Sequence, residues 1–458
     1  MRATSRTLLA ACLAVPLLVS CFKQEAYDGP IIDMHMHMYQ WNKYGDPPEP
    51  NLITGKVPEA RSDREAVDAY LAEMKRHNIV VAVGSGEPDT VTMWLKRAPN
   101  RFIGGVEFPK FTTPVYRRME AWPDPAELAA LYASRKFGLV GEITAQYAGA
   151  SLDDPRLDPY FAMAARLGLP VCVHSGFGPP NSPFRGDPAF RMRYGDPLKL
   201  EDVLVKYPNL RVYIAHGGYP FLDDTIALMM QYRQVYVDIS AIDWLLTQAE
   251  FQSYLKRLID ARLGKRILFG TDQMIWPDAV GRAIRAVESA KFLTKQQKRA
   301  IFYDNAVRFL RLDPDALRAA QATGASPFAT EVVQVIPAPI VLRPRKPGAA
   351  AQASVDLDLK GVTSSAIRVT GFDIDATEET VMSINGQKIP LPPEIVADMS
   401  EKTVTIELAP GILKQGPNTV HFLFAEAVGG TSGFAIHDLQ ILLRRSQPTP
   451  AQGSASKD

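Results

Sequence analysis

Short apolar runs alternate with amphipathic ones along the first two thirds of this chain. Runs at 31–38, 78–86, 102–108, 138–144, 170–176, 211–218, 235–240 and 266–272 are bounded by Gly, Pro or polar residues, the pattern of strands buried on both faces. Between them, apolar positions recur at helical spacing. Residues 64–77 place Ala66, Val67, Tyr70, Leu71 and Met74 on one stripe, and 124–136, 155–168, 198–206, 221–233, 247–263 and 279–292 read likewise. Asp124-Pro125 and Asp154-Pro155 are helix starts. Repeated strand–helix units over this length predict an α/β fold: a (β/α)8 TIM barrel across 31–312, ending in a helix at 294–312. A doubly wound open sheet is the rival, but it calls for fewer strands and a Gly-rich turn after the first, which this chain lacks.

Beyond 312 the pattern changes. Residues 313–350 turn rich in Ala, Pro and Arg and are predicted to be a linker. From 351 to 445 the period becomes two, with Asn385-Gly386 as a hairpin turn, which predicts a small all-β sandwich. The tail, 446–458, is Ser, Pro, Gln and Gly and is predicted to be disordered.

Composition narrows the function classes. The chain has 458 residues and a formal net charge of +1, from 51 basic and 50 acidic residues, so it carries no electrostatic footprint for nucleic acid. Residues 1–20 read as a targeting segment, with Arg2 and Arg6 ahead of an apolar stretch from Leu8 to Val19 that is short for a membrane span. Leu18-Val19-Ser20-Cys21 resembles the lipobox of bacterial lipoproteins. By that resemblance Cys21 is lipidated, residues 21–30 form a tether, and the protein is anchored in the cell envelope without spanning the membrane. Phe22, where an aspartate is absent, suggests by the same resemblance the outer membrane, facing the periplasm. Of the three cysteines only Cys172 is left as a free thiol, and it reads as a small hydrophobe.

The chemistry begins in the first strand, Ile-Ile-Asp-Met-His-Met-His-Met. Period-two alternation puts Asp33, His35 and His37 on one face, and Met34, Met36 and Met38 on the other, against the helices. Two imidazoles on one strand face can grip one metal ion. Further ligand-type residues fall late in other strands: Glu142 in the fourth, His174 in the fifth, His216 in the sixth and Asp272 at the end of the eighth. Barrel active sites are built at those strand ends. Glu107, late in the third strand, is a weaker candidate.

This combination resembles the amidohydrolase superfamily, in particular its amidohydrolase-related branch, over roughly residues 30–312. Phe-Gly-Thr-Asp at 269–272 and Asn-Ala at 305–306 add to the likeness. The resemblance implies a divalent metal cofactor, by default zinc, as one or two ions, with His35, His37, His174 and Asp272 in the ligand set and His216 on the ion or beside it. Many binuclear members carry a carboxylated lysine on strand four. Here Glu142 stands in that place, as in TatD-type nucleases, where a glutamate bridges two metals. A mononuclear branch does without that ligand, so Glu142 is either a ligand or a salt-bridge partner. By the same resemblance Asp272 moves a proton from the attacking water to the leaving group, His216 orients water or stabilises an oxyanion, and Asp33 supports the ligands.

The substrate is read from the loops. Arg185, Arg191 and Arg193 lie in the long stretch after strand five and are candidates for holding a carboxylate. Trp276, with Trp41, Tyr44 and Trp244, follows strand ends and is a candidate for an aromatic wall. The first reading is a metal-dependent hydrolase of an amide, ester or lactone bond in a small organic substrate. The alternative is a zinc-dependent decarboxylase of the same superfamily. A third is a non-catalytic, surface-anchored binding protein whose β-sandwich contacts carbohydrate or a partner; the full ligand set speaks against it.

Overall fold

The computed structural model describes residues 27–109, 111–112, 117–118, 122–133, 137–323, 330–336, 340–342, 348–425 and 434–445. The expected signal, Cys21 and the tail from 446 lie outside them.

Eight parallel strands pair in chain order: β1 (Ile31–His37), β2 (Ile79–Gly86), β3 (Phe102–Phe108), β4 (Leu139–Ile143), β5 (Val171–Val173), β6 (Val212–Ile214), β7 (Val235–Asp238) and β8 (Ile267–Leu268). The ring is completed by the segment after β8. Met34 N–H donates to the Phe269 carbonyl at 2.8 Å, and His37 N–H to that of Gln273 at 2.7 Å. The molecule is therefore a TIM barrel, as the alternating runs predict. Helices at Asp63–Arg76, Asp158–Leu167, Gln248–Asp260 and Asp278–Glu288, among others, pack their apolar stripes on its outside. One helix, Pro88–Arg97, escapes the sequence reading. It is short and carries β-branched Thr90, Val91 and Thr92, but Pro88 at its start is the signal that marks it.

The first strand departs from strict alternation. Its register with β2 shifts between Asp33 and Met36, a bulge that resets which way side chains point. Met36 and Met38 face the helices as predicted, but Met34 joins the interior cluster with Ile32, Val81, Val83, Leu139, Cys172 and Tyr213. Asp33 accepts from Tyr70 Oη of the first helix at 2.6 Å, from Thr271 Oγ1 at 2.7 Å and from the His35 backbone N–H at 3.1 Å. It therefore fastens β1 to its helix and to the segment that completes the ring. Phe309, in the closing helix Asn305–Leu310, meets Tyr213 edge-on and belongs to the same interior cluster. Asn305 Nδ2 holds the carbonyls of Gly264 and Ile267 at 2.9 and 2.7 Å, which pins the entry to β8.

The C-terminal part is two antiparallel sheets around one core. Val369 and Ile441 from one sheet meet Met382 and Phe422 from the other. Asn385 and Gly386, both at positive φ, make the predicted hairpin turn. Part of the span predicted as linker is ordered. Pro314–Thr323 is a helix, and Thr330–Gln334 pairs with the last strand, so the sandwich recruits residues whose Ala- and Pro-rich surroundings hide them.

Candidate metal centre

The strand ends bring six predicted residues to one place. His35 and His37 leave β1; Glu142 lies in β4; His174 directly follows β5; His216 and Asp272 follow β6 and β8. All six are buried. β6 and β8 stop short of the predicted ends because the chain turns sharply there. His216 has φ 58° and Asp272 φ 49°, left-handed backbone that non-glycine residues seldom adopt and that clusters at functional sites.

Glu142 stands between two pairs of imidazoles. Its Oε1 is 2.9 Å from His174 Nδ1 and 3.6 Å from His216 Nε2. Its Oε2 is 3.6 Å from His35 Nε2 and 3.7 Å from His37 Nε2. Asp272 Oδ1 approaches His37 Nε2 at 3.0 Å and His35 Nε2 at 3.6 Å. The ligand atoms of His35, His37 and Asp272 fall within 4.8 Å of one another, and so do those of His35, Glu142 and His216. Among the described residues His35 Nε2 has no hydrogen-bond partner, although it is buried. A mixed nitrogen and carboxylate set around an unsatisfied imidazole nitrogen fits a divalent cation.

Residues not singled out for this task in the sequence hold the histidines in place. Asp238, which ends β7, lies 2.8 Å from His35 Nδ1, and Ser240 Oγ is 3.1 Å from His216 Nδ1. Asp238 in turn accepts from Ser240 Oγ at 2.6 Å and from His216 N–H at 3.0 Å. Carboxylate and hydroxyl partners of this kind fix ring orientation, leaving the other nitrogen for a metal. The only signal for them is the polar pair at i and i+2 closing the Val-Tyr-Val-Asp-Ile-Ser run. Glu107 sits beside His37, its Oε2 3.5 Å from Nδ1.

The electrostatics follow from this packing. Burial alone lowers the His37 pKa, but Asp272 and Glu107 outweigh it and hold it at about 9. Burial likewise opposes charge on His35 and His216, yet Asp238 and Glu142 keep the first well above its usual value, and Glu142 and Asp272 raise the second. Burial would raise Glu142, but His35, His174 and His216 hold it well below the carboxylate range. Asp243, buried with neither oxygen hydrogen-bonded, is pushed up by burial and by the charges of Asp33, Asp238 and Asp272. The upward shifts favour protonated rings in the metal-free centre, and a cation must displace those protons. The affinity for Zn2+ should therefore climb by at least about tenfold between pH 6 and pH 8, with proton release on binding. Titration calorimetry in buffers of different ionisation heat measures both. A flat affinity profile would show that the imidazoles are already neutral.

The predicted substrate residues lie elsewhere. Arg185, Arg191 and Arg193 are all exposed. Arg191 donates to the carbonyls of Pro188 and Phe190, and Arg193 lies over Tyr194. The structure does not bring them to the metal ligands, because the 177–197 stretch turns these side chains to solvent. Trp276 is buried, stacked on Tyr44 at 5.6 Å, and donates to the Glu49 carbonyl, so it braces the loop after β1.

Comparison with known proteins agrees with this architecture. A family model described as amidohydrolase matches residues 32–312, more than half of the chain. The chain belongs to that family of barrel enzymes. It is 28% identical over 205 residues to a 2-amino-3-carboxymuconate-6-semialdehyde decarboxylase of Dictyostelium discoideum, across 39% of this chain and 55% of that protein. It is 22% identical over 148 residues to protein fluG of Emericella nidulans, across 31% of this chain and 17% of that protein. The chain thus spans about half or less of the length of these curated relatives. Among solved structures, an uncharacterised TIM-barrel protein of Bordetella bronchiseptica superposes with a TM-score of 0.47 at 21% identity, over 62% of this chain and 98% of that one.

Proposed function

We propose that this chain is a metal-dependent hydrolase acting on an amide, ester or lactone bond of a small organic substrate. The observation that carries the reading is the convergence of His35, His37 and Asp272 with Glu142, His174 and His216 at the mouth of the barrel. These residues would hold the cation, with zinc the expected ion. The cation supplies Lewis acidity toward a carbonyl and acidifies water. In the metal-free centre Asp272 stays ionised despite burial, because the His37 hydrogen bond and then the charges of His216 and His35 lower its pKa. It is therefore the group that takes up a proton as the nucleophile forms and returns it to the leaving group. His216, its Nδ1 held by Ser240, turns Nε2 to the same space, where it would either join the ligands or, left off the ion, stabilise a developing oxyanion.

The similarity to the Dictyostelium decarboxylase favours a second reading, in which the same centre breaks a carbon–carbon bond and releases CO2. Metal analysis comes first: the purified soluble part should hold one or two divalent ions per chain, and a chain that takes up none under any condition fails both readings. Turnover in ¹⁸O-water then separates them. Label in the organic product supports hydrolysis; CO2 release with no label in the organic product supports the lyase.

A further inference from the structure

Glu107, one residue before the end of β3, lies at the edge of the metal centre and is 7% exposed. Its Oε2 accepts from Tyr39 Oη at 2.7 Å and lies 3.5 Å from His37 Nδ1. Among the described residues its Oε1 has no hydrogen-bond partner. Tyr39 is itself fixed, since its ring stacks on His37 at 4.6 Å between centroids and its carbonyl accepts from Trp94 Nε1. A rigid phenol thus holds one oxygen and leaves the other, itself buried, without a donor. Buried acceptors are nearly always paired in native proteins, and a carboxylate oxygen accepts two donors with ease. Bracing Tyr39 or orienting His37 needs Oε2 alone, so neither task explains Oε1.

We propose that Glu107 is a specificity-determining residue whose Oε1 takes an N–H or O–H donor of the substrate, an amine or a hydroxyl close to the bond attacked. The donor must be close because Glu107 is already within 3.5 Å of a ligand ring. A carboxylate at that point of the substrate meets the charge of Glu107 and is disfavoured. The inference rests on the metal-dependent reading above and adds to it the class of substrate.

The test is calorimetric titration of the zinc-loaded protein with four hydroxamates that share one chelating group. They are acetohydroxamate, glycine hydroxamate, glycolohydroxamate and succinic monohydroxamate. The amine or the hydroxyl compound should bind at least about tenfold more tightly than acetohydroxamate, the value of one charge-assisted hydrogen bond, and the succinic compound more weakly. The arm that gains more identifies the donor. In Glu107→Ala that advantage should fall below about threefold. Glu107→Gln keeps an oxygen for Tyr39 and presents an amide N–H in place of Oε1, so it should turn the preference toward the succinic compound. An advantage absent from the wild type, kept in both variants, or replaced by an equal loss for all four compounds overturns the inference. A protein that takes up no zinc overturns the metal-dependent reading and this inference with it, whereas zinc-loaded protein that binds none of the four compounds overturns this inference alone.

Discussion

Asp272→Asn should lower kcat by about 10²- to 10⁴-fold, the range general acid–base groups contribute, on any substrate the wild type turns over. The substitution keeps shape and removes proton affinity. Asp272 is well placed for the role. Its backbone N–H donates to the His35 carbonyl at 2.7 Å, which locks the turn after β8, and its Oδ1 reaches His37 Nε2 at 3.0 Å. The backbone bond survives the change, so the fold should hold and Tm should move by only a few degrees. The carboxylate also belongs to the His35–His37–Asp272 cluster, so metal content must be measured in the same samples. A variant that binds metal and remains within tenfold of the wild type would show that another group carries the proton. A variant that loses both metal and rate is separated from that case by repeating the assay at saturating zinc.

How much of this was legible in the sequence depends on distance along the chain. Histidines at strand ends stand out because an apolar run closing on a polar residue is a local signal, as in Val-Cys-Val-His at 171–174. The barrel follows from repetition of such runs. The supporting contacts do not show locally. Asp238 meets His35 from 203 residues away, Thr271 meets Asp33 from 238, and Tyr39 meets Glu107 from 68. Each partner looks like an ordinary polar residue until the barrel closes. The bulge in β1 is a second kind of miss. Period two predicts the Asp33 side chain beside that of His35, and one irregular step in register turns its carboxylate to Tyr70, while the His35 backbone N–H still donates to it. The arginines of 177–197 are a third. Charge and loop position qualified them, and only packing shows that they face solvent.

The other large effect expected is on metal content, in Glu142→Gln. Each oxygen of Glu142 faces a different pair of histidines, His174 with His216 and His35 with His37. A carboxylate so placed either bridges two cations or balances the charge of one. A glutamine separates these possibilities, because it offers one oxygen and turns an N–H2 group, which repels a cation, toward the other pair. If Glu142 bridges, the wild type should take up two divalent ions per chain. The variant should then keep one, at His35, His37 and Asp272, and bind the other at least about a hundredfold more weakly, beyond the usual cost of losing a group that merely supports a ligand. If Glu142 is a counter-charge, wild type and variant both hold a single ion. The affinity then falls modestly, and its pH dependence flattens, because Glu142 no longer raises the pKa values of His35 and His216. Metal analysis of both proteins, with zinc titration at two pH values, distinguishes the outcomes. Unchanged stoichiometry, affinity and pH dependence would exclude both roles. The first outcome also strengthens hydrolysis over decarboxylation. A second cation would supply further Lewis acidity to activate an attacking water, which loss of CO2 does not require.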